Sequence, residues 1–180
     1  MADINHLDIE DETALMKASK YGDAAIVTDL LSKGANVHLE NSIGETALIL
    51  ASQAGYNAIV KELLAAGSKI NHRSYVGTAI VMAAQEGHND VLETLIKAGA
   101  SVNDEHTDEN DTPLNLVLKL IRERTHLKSL VKILVNAGAN INAVNVEGET
   151  PLLLASSLRD PVKTEILNIL ERKTDGEYKE

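Results

Sequence analysis

The densest group of residues that could bind a metal ion lies in the stretch NDEHTDEND, from Asn103 to Asp111. Carboxylate oxygens are ligands that Ca²⁺ prefers in proteins. The stretch lacks the spacing of an EF-hand loop and the central glycine that such a loop requires. We therefore expect an enlarged surface loop that contacts a partner, with incidental Ca²⁺ binding as the alternative.

No other pattern in the chain is typical of catalysis or of a cofactor site. The sequence contains no G-x-S-x-G, no phosphate-binding glycine loop and no H-E-x-x-H. Its six histidines lack metal-ligand spacing, and its lack of cysteine excludes disulfides, cysteine metal sites and cysteine nucleophiles. The sequence therefore predicts neither an enzyme nor a bound cofactor or metal.

Negative charge is concentrated in a few short polar segments. The formal net charge is −10. Five segments, 2–12, 34–45, 67–77, 99–111 and 138–149, hold 14 acidic residues and 2 basic ones. Negative charge and few aromatic residues disfavour nucleic acid as a ligand. The pattern favours a protein partner with a basic surface, attracted by electrostatic steering, and the solubility of exposed turns is the alternative.

These segments are positioned by a unit that recurs along the chain. TALM, TALI, TAIV, TPLN and TPLL begin at threonines 33, 32, 34 and 38 residues apart. Thr before an apolar run is typical of a helix N-cap, and Pro after that Thr suits the first helical position. Gly22, Gly55 and Gly87 each lie nine residues after their Thr and suit helix ends. A second apolar helix pattern follows, so each unit is a turn and two helices.

A period of about 33 residues with this content resembles the ankyrin repeat. The stretch GETALILASQAGYNAIVKELLAAGSKIN, Gly44 to Asn71, matches the family pattern almost throughout, and the likeness covers residues 2 to about 173. The resemblance implies an all-α ankyrin-repeat solenoid in which short turns or hairpins link the helix pairs. It implies one domain of five repeats, 8–40, 41–73, 74–105, 106–144 and 145–173, with a remnant hairpin at 1–7 and a polar tail at 174–180.

The repeats depart from the family pattern at one position. The family usually has His after its T-P-L triplet, and here that position holds Met16, Ile49, Val81, Asn115 and Leu153. We expect the hydrogen bonds that this His makes between neighbouring repeats to be missing. The stability should then be lower than that of an idealised member.

The two ends of the repeated region differ in polarity. Terminal repeats need a polar outer face. ERKTDGEYKE offers such a face after the last helix, whereas the first repeat follows a half unit at Ala2 to Asn5. We expect either a fragment of a longer protein or a native start that uses this half unit as a short cap.

The resemblance also implies where a partner would bind: at the hairpin tips and at the exposed edge of each first helix, which line the concave face. In this sequence those positions are Ile9, Glu10, Glu12, Lys20, Tyr21, Glu40, Ser42, Ile43, Glu45, Gln53, Arg73, Tyr75, Val76, Gln85, Glu86, Glu105, Asp108, Glu109, Asp111, Val146, Glu147 and Glu149. Tyrosine is enriched among interface anchors, so Tyr21 and Tyr75 are the first candidates. The alternative for Ile43, Val76 and Val146 is that they pack between adjacent turns.

We therefore expect a monomeric, cytoplasmic, non-catalytic protein that binds another protein. The first residues contain no apolar segment typical of a signal peptide, and no apolar run approaches the ~20 residues of a membrane span. Two alternatives stay open. The chain is an inhibitor or immunity-type protein that occludes a basic enzyme, or it is the ankyrin segment of a larger multidomain protein or secreted effector.

Overall fold

A computed structural model describes residues 3–104, 110–120 and 126–174 of the chain. The described residues form ten helices and no strand, and their only β-bridge is an isolated one between Ser74 and Gly77. The predicted all-α class is confirmed, and the predicted hairpins are turns. No helix among these residues combines the length and the apolar character needed to cross a membrane.

The helices fall into two compact units, Met1–Ala100 and Ser101–Glu180. The first unit holds three helix pairs: α1 (Ala14–Tyr21) and α2 (Ala24–Ser32), α3 (Ala47–Gln53) and α4 (Asn57–Ala65), α5 (Ala79–Gln85) and α6 (Asn89–Lys97). The second holds two pairs: α7 (Pro113–Leu120) and α8 (Leu127–Asn136), α9 (Pro151–Ser156) and α10 (Val162–Thr174). The single domain expected from the sequence stays a prediction.

Threonine caps and left-handed glycines set the helix boundaries as the sequence predicts. The Oγ1 atom of Thr13 accepts a hydrogen bond from the Met16 amide at 3.2 Å, and Thr150 does the same for Leu153 at 3.3 Å. A cap of this kind satisfies one of the amides that the first helical turn leaves unpaired. Gly22 ends α1 with φ +82°, a conformation that residues with a side chain rarely adopt.

Within each unit, every first helix packs on the next first helix. In the first unit α3 packs on α1 and α5 packs on α3, and in the second unit α9 packs on α7. The first helices supply small and aliphatic side chains, so that Leu48, Ile49 and Ala51 are buried almost completely. Each unit thus builds its core by the addition of helix pairs, because one pair alone leaves an apolar face uncovered.

Two histidines brace neighbouring repeats from positions other than the one considered in the sequence. The Nε2–H of His88 donates to the carbonyl oxygen of Gln53 at 3.0 Å, and that of His72 donates to the carbonyl oxygen of Gly44 at 2.9 Å. His88 directly precedes α6, and His72 lies in a turn. Neither histidine occupies the position after the triplet that begins with Thr. The expectation concerned only the position after the Thr triplet, which holds no histidine, and other positions of the repeat reach a carbonyl acceptor in the neighbouring repeat.

Candidate protein-binding surface

The turns before α1, α3 and α9 are each held in shape by a side chain that accepts two backbone hydrogen bonds. Oδ1 of Asn41 accepts from the amides of Ile43 at 3.2 Å and Glu45 at 2.9 Å. Asp8 makes the same pair of bonds in the first repeat, as does Asn145 in the last. The backbone amides that face the inside of the turn donate their hydrogen bonds to this side-chain oxygen of the same turn. The side chains at its tip are therefore left to face solvent.

Apolar tip residues of the second and third repeats lie next to each other in the first unit. The amide of Tyr75 donates to the carbonyl oxygen of Ile43 at 3.0 Å, which joins the two tips. Ile43 and Val76 are exposed, and Tyr75 has 89% of its surface in solvent. We call Ile43, Tyr75 and Val76 the tip patch. Their predicted exposure is confirmed, and the bond between the tips leaves these side chains outside the turns.

The tip patch is also locally rigid. Oγ of Ser74 donates to the carbonyl oxygen of Gly77 at 2.7 Å, inside the turn that carries Tyr75 and Val76. The backbone of Ser74 bonds the same carbonyl at 3.1 Å. A preformed turn loses little conformational entropy when a partner binds.

Tyr21 is a second exposed aromatic residue, at the end of α1. Its side chain is 69% exposed, and the Nζ atom of Lys20 lies 5.9 Å from the ring centroid. The hydrogen bond that Lys20 donates to the Glu12 carboxylate, 2.8 Å long, raises the pKa of Lys20. Lys20 is thus held beside Tyr21 as a cation.

Three acids that the sequence assigned to the binding surface are buried. Glu12, Glu45 and Asp111 are 5%, 7% and 1% exposed. Each comes directly before the capping Thr, where the chain turns inward. Lys20 bonds Glu12, and the Nδ2 atom of Asn41 bonds Glu45 at 2.9 Å. The assignment of these three residues to an exposed surface was therefore wrong.

The carboxylate of Asp111 contacts side chains of two other residues, Asn145 and Lys119. Nδ2 of Asn145 donates to its Oδ1 at 2.9 Å, and Nζ of Lys119 lies 3.3 Å from its Oδ2. The same Nζ lies 3.0 Å from Glu147 and 3.7 Å from Glu149. The acids near the last turn are therefore gathered around one lysine, which reduces the negative charge offered to a partner.

The other predicted residues are distributed over both units. Glu10 pairs with Lys17 at 2.9 Å, and Glu40 lies 3.5 Å from Nε2 of His72. Both acids are exposed, as are Ser42, Gln53, Arg73, Glu86 and Val146, whereas Gln85 is half-buried. Glu105, Asp108 and Glu109 lie outside the described residues, as does most of the acidic stretch that they belong to.

Sequence reasoning missed three exposed apolar residues of the second unit. Val144, Leu152 and Leu153 have 57%, 46% and 57% of their surface in solvent. The available signal was the run of leucines in α9, whose counterparts in α1 and α3 are covered by the first helix of the next repeat. In the ranges 3–104, 110–120 and 126–174, no group of three or more His, Asp or Glu side chains is placed to hold a metal ion.

The comparisons with known proteins agree with the geometry of these helix pairs. A family model described as ankyrin repeats (3 copies) matches residues 1–74 and 80–176 of the chain. A search of curated proteins finds no match. The matched ranges include the whole of the first helices α1, α3, α7 and α9, and all of α5 except its first residue.

Proposed function

Since the chain belongs to the ankyrin-repeat family, we propose that it is a non-catalytic protein that binds another protein through the tip patch of its first unit. Ankyrin repeats are generally protein–protein interaction modules and are typically non-catalytic. The observation that carries the proposal is the exposure of Tyr75 at 89%, on a rigid turn joined to Ile43. A large aromatic side chain in that position has no packing role in the described structure.

The patch has the composition of an interface centre. Tyr75, Ile43 and Val76 form an apolar group, and aromatic anchors contribute a large share of the binding energy at interfaces. Ile9, which is fully exposed on the turn of the first repeat, extends the apolar character of the tips. Tyr21 adds a second anchor at the edge of α1.

The partner that fits this surface has an apolar contact area with basic residues around it. The chain carries a net charge of −10, and Glu10 and Glu40 lie on the turns beside the apolar residues. Attraction between opposite charges raises the association rate and weakens as salt screens it. A cytoplasmic location, a monomeric state and the exclusion of nucleic acid stay predictions from the sequence.

The test combines a capture experiment with matched variants. The wild-type chain, Tyr75→Ala, Tyr21→Ala and the control Lys61→Ala are immobilised and exposed to lysate at low and at high salt. Lys61 is an exposed residue of α4, away from the tips. Mass spectrometry then identifies the retained proteins, and surface plasmon resonance with each purified candidate gives its rate constants.

We expect a partner that wild type and Lys61→Ala retain and that Tyr75→Ala binds at least about tenfold more weakly, as for a hot-spot residue. Its association rate should fall as salt rises. A specific partner that binds both tyrosine variants with wild-type affinity would show that the tip patch is not the binding surface. An association rate independent of salt would remove the electrostatic part of the proposal alone.

A further inference from the structure

The turn that carries Tyr75 and Val76 differs from its counterparts in how its tip amide is bonded. In three other turns a side-chain Oδ1 atom accepts a hydrogen bond of 2.8 to 3.2 Å from the amide two residues further along: Asp8 from Glu10, Asn41 from Ile43, and Asn145 from Glu147. Ser74 takes the place of this Asp or Asn, and its Oγ instead donates to the carbonyl oxygen of Gly77. The amide of Val76 therefore lacks the acceptor that its counterparts have.

The other backbone bonds of this turn leave the Val76 amide unused as well. Ser74 and Gly77 exchange two bonds, of 3.1 and 3.3 Å, and the amide of Tyr75 donates to the carbonyl oxygen of Ile43. Across the part of the chain that the structure describes, no residue accepts a hydrogen bond from the amide of Val76. Val76 is 44% exposed, so water is the acceptor in the free protein.

This N–H group lies within the tip patch, next to an exposed aromatic side chain. A ligand that fits both features must bring a hydrogen-bond acceptor and apolar side chains together. An extended peptide does so, because its main-chain carbonyl groups have no internal partner and alternate side chains lie on the same side. A helix surface does not, because its carbonyl groups are bonded within the helix.

We propose that this turn recognises the main chain of an extended segment of the partner protein. The amide of Val76 donates to a main-chain carbonyl oxygen of the segment, and apolar side chains of the segment pack on Tyr75 and Ile43. The exposed acid Glu40, in the turn of Ile43, favours a basic residue in the same segment. The inference rests on the proposed function and specifies the class of partner that the tip patch takes.

Amide exchange of the free protein, measured by NMR, tests the first step. The amide of Val76 should exchange with water faster than those of Glu10 and Ile43, which are bonded to a side-chain oxygen. Equal protection of the three amides would overturn the inference, because the donor would already be occupied.

Peptide selection supplies the probe for the second step. A library of random peptides displayed on phage is selected on the wild-type chain and counter-selected on Tyr75→Ala. We expect peptides with apolar residues and at least one basic residue. When the selected peptide binds, the amide resonance of Val76 should move downfield and its exchange should slow, as for a new hydrogen bond.

The variant Ser74→Asn tests the hydrogen bond itself. An Asn side chain can accept from the amide two residues later, as Asn41 does, and would occupy the Val76 amide from inside the turn. We expect slower exchange of that amide and about three- to tenfold weaker peptide binding. Ser74→Ala, which provides no such acceptor, is the matched control and should bind more tightly than Ser74→Asn.

An ester scan of the selected peptide separates a lost hydrogen bond from a distorted turn. An ester carbonyl is a weaker acceptor than an amide carbonyl, so one ester position should weaken binding to wild type. The same ester should have little effect on Ser74→Asn, because the bond is already lost there.

Two results would overturn the inference and leave the proposed function standing. One is a peptide whose binding depends on Tyr75 but responds neither to any ester nor to Ser74→Asn. The other is a library that yields no peptide dependent on Tyr75, while the capture experiment finds a folded partner that is. Binding of every selected peptide and captured partner to Tyr75→Ala with wild-type affinity would overturn both proposals.

Discussion

At the scale of single residues, the sequence wrongly predicted exposure for acidic side chains that are buried and bonded to other side chains of the protein. The exposure of Tyr21 and Tyr75 was predictable, because tips and helix edges of this repeat face solvent. The burial of Glu12 and Asp111 was not. It depends on a lysine eight residues further along the helix, which can neutralise the acid only after the chain has turned. A spacing of eight residues between an acid and a lysine does not predict an ion pair unless the fold is known.

Asp8 is the acid whose ionisation the turn perturbs most clearly. The hydrogen bond from Lys17, assisted by the amides of Glu10 and Glu12, lowers the pKa of Asp8 from 3.8 to about 2. A carboxyl group with a lower pKa in the folded state stabilises the fold above the unfolded pKa, and this contribution is lost as pH falls from 3.8 towards 2.

We predict that NMR titration of wild type will place the midpoint of Asp8 at about 2. In Lys17→Met the midpoint should rise towards the ordinary value, because the strongest hydrogen-bond donor is removed. Lys97→Met, which removes the Lys97–Glu93 pair on α6, is the control and should leave Asp8 unchanged. A midpoint near 3.8 in wild type would mean that Lys17 does not hold Asp8 in solution.

At the scale of helices, capping residues in the sequence indicate where each helix begins and ends. They do not indicate which residues of neighbouring repeats are in contact. Thr46 and Pro151 mark helix starts, because a cap or a proline needs only its own neighbours in the chain. The packing of His88 on Gly55 joins residues of consecutive repeats. A single sequence contains no direct signal for such a pair, so the carbonyl acceptors of His72 and His88 were not predicted.

Two glycines at helix ends separate backbone strain from packing. Gly55 has φ +80°, and a methyl group there would lie 2.6 Å from the ring of His88. Gly67 has φ +89°, and a methyl group there would meet nothing within 4 Å. Both substitutions strain the backbone, and only the first also displaces a ring that braces two repeats.

We predict that Gly67→Ala lowers the free energy of unfolding by about 1 kcal/mol, the strain of a left-handed alanine. Gly55→Ala should lower it by roughly 3 kcal/mol, because overpacking adds to that strain. Urea denaturation followed by circular dichroism measures both variants. Equal losses would show that the imidazole moves aside at no energetic cost.

At the scale of the whole molecule, the same ion pair stabilises both units. In each unit an acid that precedes the capping Thr pairs with a lysine eight residues later: Glu12 with Lys20, and Asp111 with Lys119. The family and the helix pairs were predictable because they follow from the repeat. The division into Met1–Ala100 and Ser101–Glu180 was not predicted, because the repeat pattern continues across it.

We predict that Lys119→Met destabilises the second unit and Lys20→Met the first, each by about 1–3 kcal/mol, because a buried carboxylate loses its cation. Hydrogen exchange read by mass spectrometry locates the effect, which should be strongest in α7 and α9 for Lys119→Met and in α1 and α3 for Lys20→Met. Lys132→Met, an exposed residue of α8, is the control. Hydrogen exchange that becomes faster by the same factor in every helix would contradict the assignment of each ion pair to its own unit.

The chemical difference between Lys17 and Leu50, which both lie four residues after a capping Thr, has an evolutionary consequence. Leu50 is buried, whereas Lys17 pairs with Asp8 and Glu10. An aliphatic residue in place of Lys17 would leave two carboxylates without their cation, and a lysine in place of Leu50 would bury an unpaired charge. The two repeats should therefore accept different residues at a position that has the same place in the repeat.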